Sequence, residues 1–221
     1  MAYRRRTETL TARIPFPPMK YPLVAILRGL RPEETPAAIE ALLDAGLRAI
    51  EIPLNSPDPF ASIEIAAKMA PADALIGGGT ILTVEDVDRL ERAGGRLFVS
   101  PNVDQPVLAH AVDRGMVTLP GVFTPSEALL AARTGATGLK FFPASVLGMP
   151  GINAIRAVLP PDLMIAAVGG VSEENFADYA RGGIKAFGLG SSLYKPGMAA
   201  AEIGRRAKAA VAAYERAFGA N

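Results

Sequence analysis

Cysteine is absent from the 221 residues. That excludes disulfides, thiol nucleophiles and thiolate metal sites. A single histidine leaves no multi-histidine zinc site. Charge of one sign is missing too: 23 Lys and Arg stand against 22 Asp and Glu, a formal net charge of +1. There is thus no electrostatic case for nucleic acid or an anionic membrane as partner. No apolar run approaches the roughly 18 residues that span a bilayer. The N-terminus, MAYRRRTETLTARIPFPP, is basic but lacks the apolar centre of a signal peptide. These absences lead us to expect a cytoplasmic protein without a thiolate or multi-histidine metal site. The Arg4–Arg6 cluster reads as part of a solvated tail, with contact to a partner or nucleic acid as the alternative.

Half of the residues are hydrophobic, enough for one sizeable core. The apolar residues are grouped into eight short runs: PLVAILRG, RAIEIPLN, ALIGGGTI, RLFVSPN, MVTLPG, GLKFFPAS, LMIAAVGG and KAFGLGSS. Between them lie amphipathic stretches such as PEETPAAIEALLDAG and VEDVDRLERAGG, whose apolar residues recur at three and four. Several of these close in glycine, which suits the left-handed residue after a helix. Thr83, Thr124 and Ser172 stand where helices should open. Residues 199–218 read as a last helix. Eight strand-then-helix units predict a parallel sheet closed into a single (β/α)8 barrel. An open doubly wound sheet is the rival, but IGGGTI lacks the dinucleotide G-x-G-x-x-G spacing. No linker divides the chain, so we read a tail over residues 1–20 and one domain over 21–221.

In such barrels the chemistry sits at the C-terminal ends of the strands. The polar residues there are Arg28, Glu51, Thr80, Ser100, Asn102, Lys140, Ser191 and Ser192. Side chains alternate along a strand, so if Ile50 and Ile52 face the helices, Glu51 points inward with Pro53 and Asn55 on its face. Lys140 stands among apolar neighbours in TGLKFFPA. Burial disfavours the ammonium and leaves a neutral amine able to attack a ketone. A carboxylate nearby can shuttle the protons. The plainer readings are a snorkelling Lys140 and a buried ion pair at Glu51. AVGGV and GLGSSLY bring backbone N–H groups together at the ends of the last two strands, an arrangement suited to phosphate. Lys185, two residues after the glycines of RGG, reads as structural. His110 reads as surface or packing, and Met149 as loop packing.

In combination and in order, VAILRG, AIEIPLNSP, LIGGGTIL, VSPN, LKFFPAS, AVGGVSEEN and GLGSSLY resemble the class I aldolases that act on 2-keto-3-deoxy-6-phosphosugar acids. The resemblance runs from about residue 22 to the last helix. It implies a barrel, typically a homotrimer, with a phosphorylated keto-deoxy sugar acid as its partner and no cofactor. It also implies a Schiff-base lysine at Lys140 and an acid/base glutamate at Glu51. Arg28 and Thr80 fall on substrate-binding positions, and Gly169, Gly170, Gly190 and Ser191 on phosphate-binding ones. One position departs from the gluconate-type pattern E-x-x-L-R: the chain has Asn55 where the arginine would stand, similar to the galactonate branch. A gluconate-type or dual-epimer enzyme remains the nearest alternative. A phosphosugar isomerase or epimerase, or a non-catalytic binder on the same barrel, is more distant.

Overall fold

The computed structural model describes residues 13–219; Arg4–Arg6 lies outside them. Strands β1 (Leu23–Ile26), β2 (Ala49–Pro53), β3 (Leu75–Gly79) and β4 (Leu97–Val99) are followed by helices α1 (Thr35–Asp44), α2 (Pro59–Met69), α3 (Val84–Arg92) and α4 (Gln105–Asp113). The fifth run holds two strands, β5 (Val117–Leu119) and β6 (Gly121–Val122), before α5 (Pro125–Arg133). Then come β7 (Gly138–Phe141), α6 (Ala144–Arg156), β8 (Met164–Val168), α7 (Phe176–Arg181), β9 (Ala186–Leu189) and α8 (Ala200–Phe218).

The ladder is parallel throughout and runs β5-β4-β3-β2-β1-β9-β8-β7-β6. Its two ends, β5 and β6, are consecutive in the chain and separated only by Pro120. Proline has no N–H to give the ladder, so the fifth run is cut in two. Its carbonyl still takes the Lys140 N–H at 3.0 Å, which keeps the segment beside β7. The structure is a (β/α)8 barrel whose fifth strand is divided.

Alternation sorts the strand residues. Leu23, Ala25, Ile50, Ile52, Phe98, Leu139, Phe141 and Phe187 pack against the helices in the outer core. Val24, Ala49, Leu75, Leu97, Val99, Val117 and Leu119 form a second, inner cluster. Ile14, Phe16 and Met19 pack on that inner cluster. Part of the stretch read as a tail therefore covers the barrel interior at the strands' N-terminal ends.

Two of the three expected helix openings have the expected caps. The Thr83 hydroxyl accepts from the Asp86 N–H at 3.1 Å. Thr124 and Glu127 exchange side-chain and backbone bonds in a capping box. Ser172 differs: its hydroxyl accepts from the Glu174 N–H in a turn, and α7 begins only after Asn175. The Asn175 side chain is drawn back to the turn, where it binds the Ser172 N–H and the Gly170 carbonyl. His110 joins α4 to Asp88 of α3 at 2.8 Å, in the packing role expected of it. Lys185 is exposed just before β9, and the Tyr214 hydroxyl donates to its carbonyl.

Candidate active site

The barrel turns Glu51 inward because Ile50 and Ile52 are taken by the outer core. The glutamate is 2% exposed and Lys140, inward on β7, 8%. Between β2 and β7 lie β1, β9 and β8 on one side of the closed barrel and β3, β4 and the divided fifth strand on the other, so the two groups meet only across the interior. They line one cavity of about 590 Å³ at the strands' C-terminal ends. Arg28, Asn55 and Thr80 line the same cavity from the ends of β1, β2 and β3. Gly169, Gly170, Gly190 and Ser191 line it from the ends of β8 and β9. The nine residues expected to carry catalysis or substrate binding thus line one cavity. Ser100, Asn102 and Ser192 are not among its walls: the buried Ser100 hydroxyl donates to the Asn102 carbonyl at 2.7 Å, which shapes the β4 corner, and the Ser192 hydroxyl donates to the Val171 carbonyl at 3.2 Å.

Burial dominates the electrostatics of the central pair. It pushes the Glu51 carboxyl up to about 7, against the opposing pull of the Lys140 and Arg28 charges. It pushes the Lys140 ammonium down, helped by Arg28 and opposed by Glu51. The Glu51 and Lys140 charges are not in ion-pair contact, and Glu51 Oε2 has no hydrogen-bond partner among the described residues. Lys140 Nζ stands 5.0 Å from the centre of the Phe142 ring. A buried, partnered ion pair does not describe this site; two groups each driven toward neutrality do.

The phosphate-like corner is built by backbone. Gly169 and Gly170 have φ of 89° and 74°, a region that glycine enters freely. Their carbonyls are held by the protein: Gly169 O accepts from the Ser145 N–H at 3.1 Å, and Gly170 O from Asn175 Nδ2 at 2.8 Å. The Gly190 carbonyl accepts from the Leu193 and Tyr194 N–H groups, each at 2.9 Å. A trans peptide sets the following N–H opposite each carbonyl. The N–H groups of Gly170, Val171 and Ser191 thus point away from these partners, and all three residues line the cavity. Thr80 adopts φ 55°, a left-handed conformation unusual for a branched residue and found here at the cavity wall.

Sequence reasoning missed Gly29, Pro101, Phe142, Val168, Tyr194 and Lys195, which also line the cavity. Lys195 had a usable signal, since it follows directly on the quoted GLGSSLY. With it, two cations (Arg28 and Lys195) line the cavity beside the Lys140 amine and the Glu51 carboxyl, both driven toward neutrality. That balance favours an anionic ligand.

The comparisons identify the family and the fold. The family described as "Aldolase: KDPG and KHG aldolase" matches residues 19–203. A probable 2-dehydro-3-deoxy-6-phosphogalactonate aldolase of Rhizobium meliloti (strain 1021) is 67% identical, over 94% of this chain and 98% of that protein. The 2-dehydro-3-deoxy-6-phosphogalactonate aldolase of Escherichia coli (strain K12) is 46% identical, over 90% and 97%. A solved structure described as native KDPGal superposes with a TM-score of 0.88 at 45% identity, over 90% of this chain and 97% of that one. With its barrel, its buried lysine and glutamate and its glycine corner, this chain belongs to the KDPG and KHG aldolase family, and it is a carbon–carbon lyase.

Proposed function

We propose that this aldolase cleaves 2-dehydro-3-deoxy-6-phosphogalactonate to pyruvate and D-glyceraldehyde 3-phosphate through a Schiff base on Lys140. The observation that carries the reading is the placing of Lys140 and Glu51 in one cavity, both buried and out of contact with each other. The neutral Lys140 amine adds to the C2 ketone, and loss of water gives an iminium. Glu51, directly or through a water, takes the C4 hydroxyl proton. The C3–C4 electron pair moves to the iminium, which leaves an enamine and frees the aldehyde. Glu51 returns its proton to C3, and hydrolysis releases pyruvate and the amine. A carboxyl near pH 7 suits both directions of that transfer.

Arg28 and Thr80 hold the carboxylate end, and the corner of Gly169, Gly170, Gly190 and Ser191 holds the phosphate. Fixing both ends places the scissile bond over the lysine. Asn55 selects the C4 epimer from beside Glu51. The names of the relatives at 67% and 46% identity support the galactonate substrate. The working form is a homotrimer in the cytoplasm. Leu82, Val84, Phe123 and Val146, exposed apolar residues just beyond β3, β6 and β7, are suited to contact between copies.

The test joins trapping to turnover. Pyruvate with borohydride should add mass irreversibly to the peptide that contains Lys140; labelling elsewhere, or none, removes the Schiff base. In pyruvate-release assays the galacto epimer should be well used. Asn55→Arg should shift kcat/KM toward the gluco epimer by about 1–3 kcal/mol, the scale of one polar contact. Cleavage of the gluco epimer alone by the wild type would remove the galactonate assignment and leave the aldolase standing.

A further inference from the structure

The inward face of β3 carries glycine at both positions nearest the cavity, Gly77 and Gly79. Gly77 pairs in register with Glu51, and Gly79 with Pro53. A Cβ placed on Gly79 would lie 1.4 Å from Glu51 Oε2, 2.5 Å from Cδ and 2.9 Å from Oε1. No rotation of a methyl group relieves this, because a Cβ has no freedom of its own. The carboxyl therefore occupies the volume that any side chain at position 79 would fill. The Gly79 carbonyl is meanwhile fixed by the Leu54 N–H at 2.8 Å, so β3 is not free to retreat. Glycine in a strand interior costs stability. Here the cost is matched to a close approach by a catalytic group rather than to a turn: Gly79 has no positive φ.

We infer that Gly79 is the positioning residue for the acid/base glutamate: its missing side chain leaves the slot on the inward face of β3 that the Glu51 carboxyl occupies. The inference rests on Glu51 acting as the acid/base group. Glu51 Oε2, the atom nearest that slot, has no hydrogen-bond partner among the described residues. The charged groups that act on Glu51 are Lys140 on β7 and Arg28 after β1. Neither is touched by a change at position 79. The neighbouring Gly78 gives the contrast. It faces outward, and a Cβ there would meet Ile81, Leu90 and Ile63 no closer than 3.3 Å.

Gly79→Ala should displace the carboxyl and cut kcat by about 10²–10⁴, as loss of general acid–base catalysis does. Trapping of the pyruvate imine at Lys140 should persist. Glu51→Asp retracts the carboxyl by about one bond, 1.5 Å. In the Gly79→Ala background it should therefore recover activity at least tenfold, although alone it lowers activity. Near-normal kcat in Gly79→Ala, or no recovery in the double variant, overturns the proposal. If Gly79→Ala does not fold, Glu51→Ala in the same chain should restore folding, because the three atoms nearest that Cβ all belong to the carboxyl; continued failure to fold overturns it. Wild-type imine trapping, together with an inactive Glu51→Gln, isolates the result from the aldolase reading. If Glu51→Gln turns over normally, it is Glu51's role that fails.

Discussion

Glu51 is a polar group that the fold holds at a cost. Its carboxyl ordinarily titrates near 4.5 and in the barrel near 7. Between those values the unfolded chain has released the proton while the folded chain keeps it. Stability therefore falls as pH rises through that window and levels off above it. A rise of this size corresponds to about 3 kcal/mol as an upper bound, since Lys140 and Arg28 both respond to the same charge. Glutamine has the shape of the neutral acid and does not titrate. Glu51→Gln should accordingly melt like the wild type near pH 5 and above it at pH 8, while kcat falls by about 10²–10⁴. Melting curves across pH 5–8 and turnover at pH 7.5 check both halves. A variant less stable than the wild type at pH 8 would mean that the carboxylate has a partner worth more than its burial costs. Lys140→Arg belongs to the same scale: a guanidinium stays protonated and forms no imine, so turnover should vanish.

At the scale of elements, the glycine corner works because its carbonyls are tied elsewhere. The tie at Gly170 is Asn175, the residue before α7. Asn175→Ala should free that peptide and loosen the N–H of Val171. KM for the phosphorylated substrate should rise several-fold, the effect of about one hydrogen bond, with kcat nearly kept and the unphosphorylated acid unaffected. Equal losses on both substrates would point to a general collapse of the α7 turn. Asn175 also marks where sequence reading stopped. The barrel was legible because strand and helix periods alternate eight times, and Glu51 and Lys140 because their neighbours are apolar on both sides. The glycine corner was legible because its two glycine-rich stretches, AVGGV and GLGSSLY, each close one of the last two strand runs. The late start of α7 was not, since Ser172 is a good cap until Asn175 competes for the same turn. Pro120 was visible, but not that its carbonyl would still hold β7. Gly79 could be read only once Glu51, its diagonal neighbour on β2, was known to reach it.

The whole molecule has two ends with separate duties. The upper end is the cavity; the lower is closed by Ile14, Phe16 and Met19 lying on the inner cluster of Val24, Ala49, Leu75, Leu97 and Val117. In RIPFPP the prolines dominate the sequence pattern and suggest an extended tail. The apolar residues between them find their partners only through distant strands, which periodicity cannot show. Phe16 is half-buried there. Truncating it removes apolar surface from a contact already partly open to water, so the loss should sit below that of a full core deletion, at about 1–2 kcal/mol. Phe16→Ala should lower Tm by several degrees on that account. Lys140, Glu51 and the glycine corner lie at the opposite end of the strands, so kcat and KM of the folded variant at 25 °C should match the wild type. Thermal melts paired with steady-state kinetics make the comparison. If activity falls with Tm unchanged, the lower end is coupled to the cavity through the inner cluster. If neither moves, the segment contributes nothing to closing the barrel.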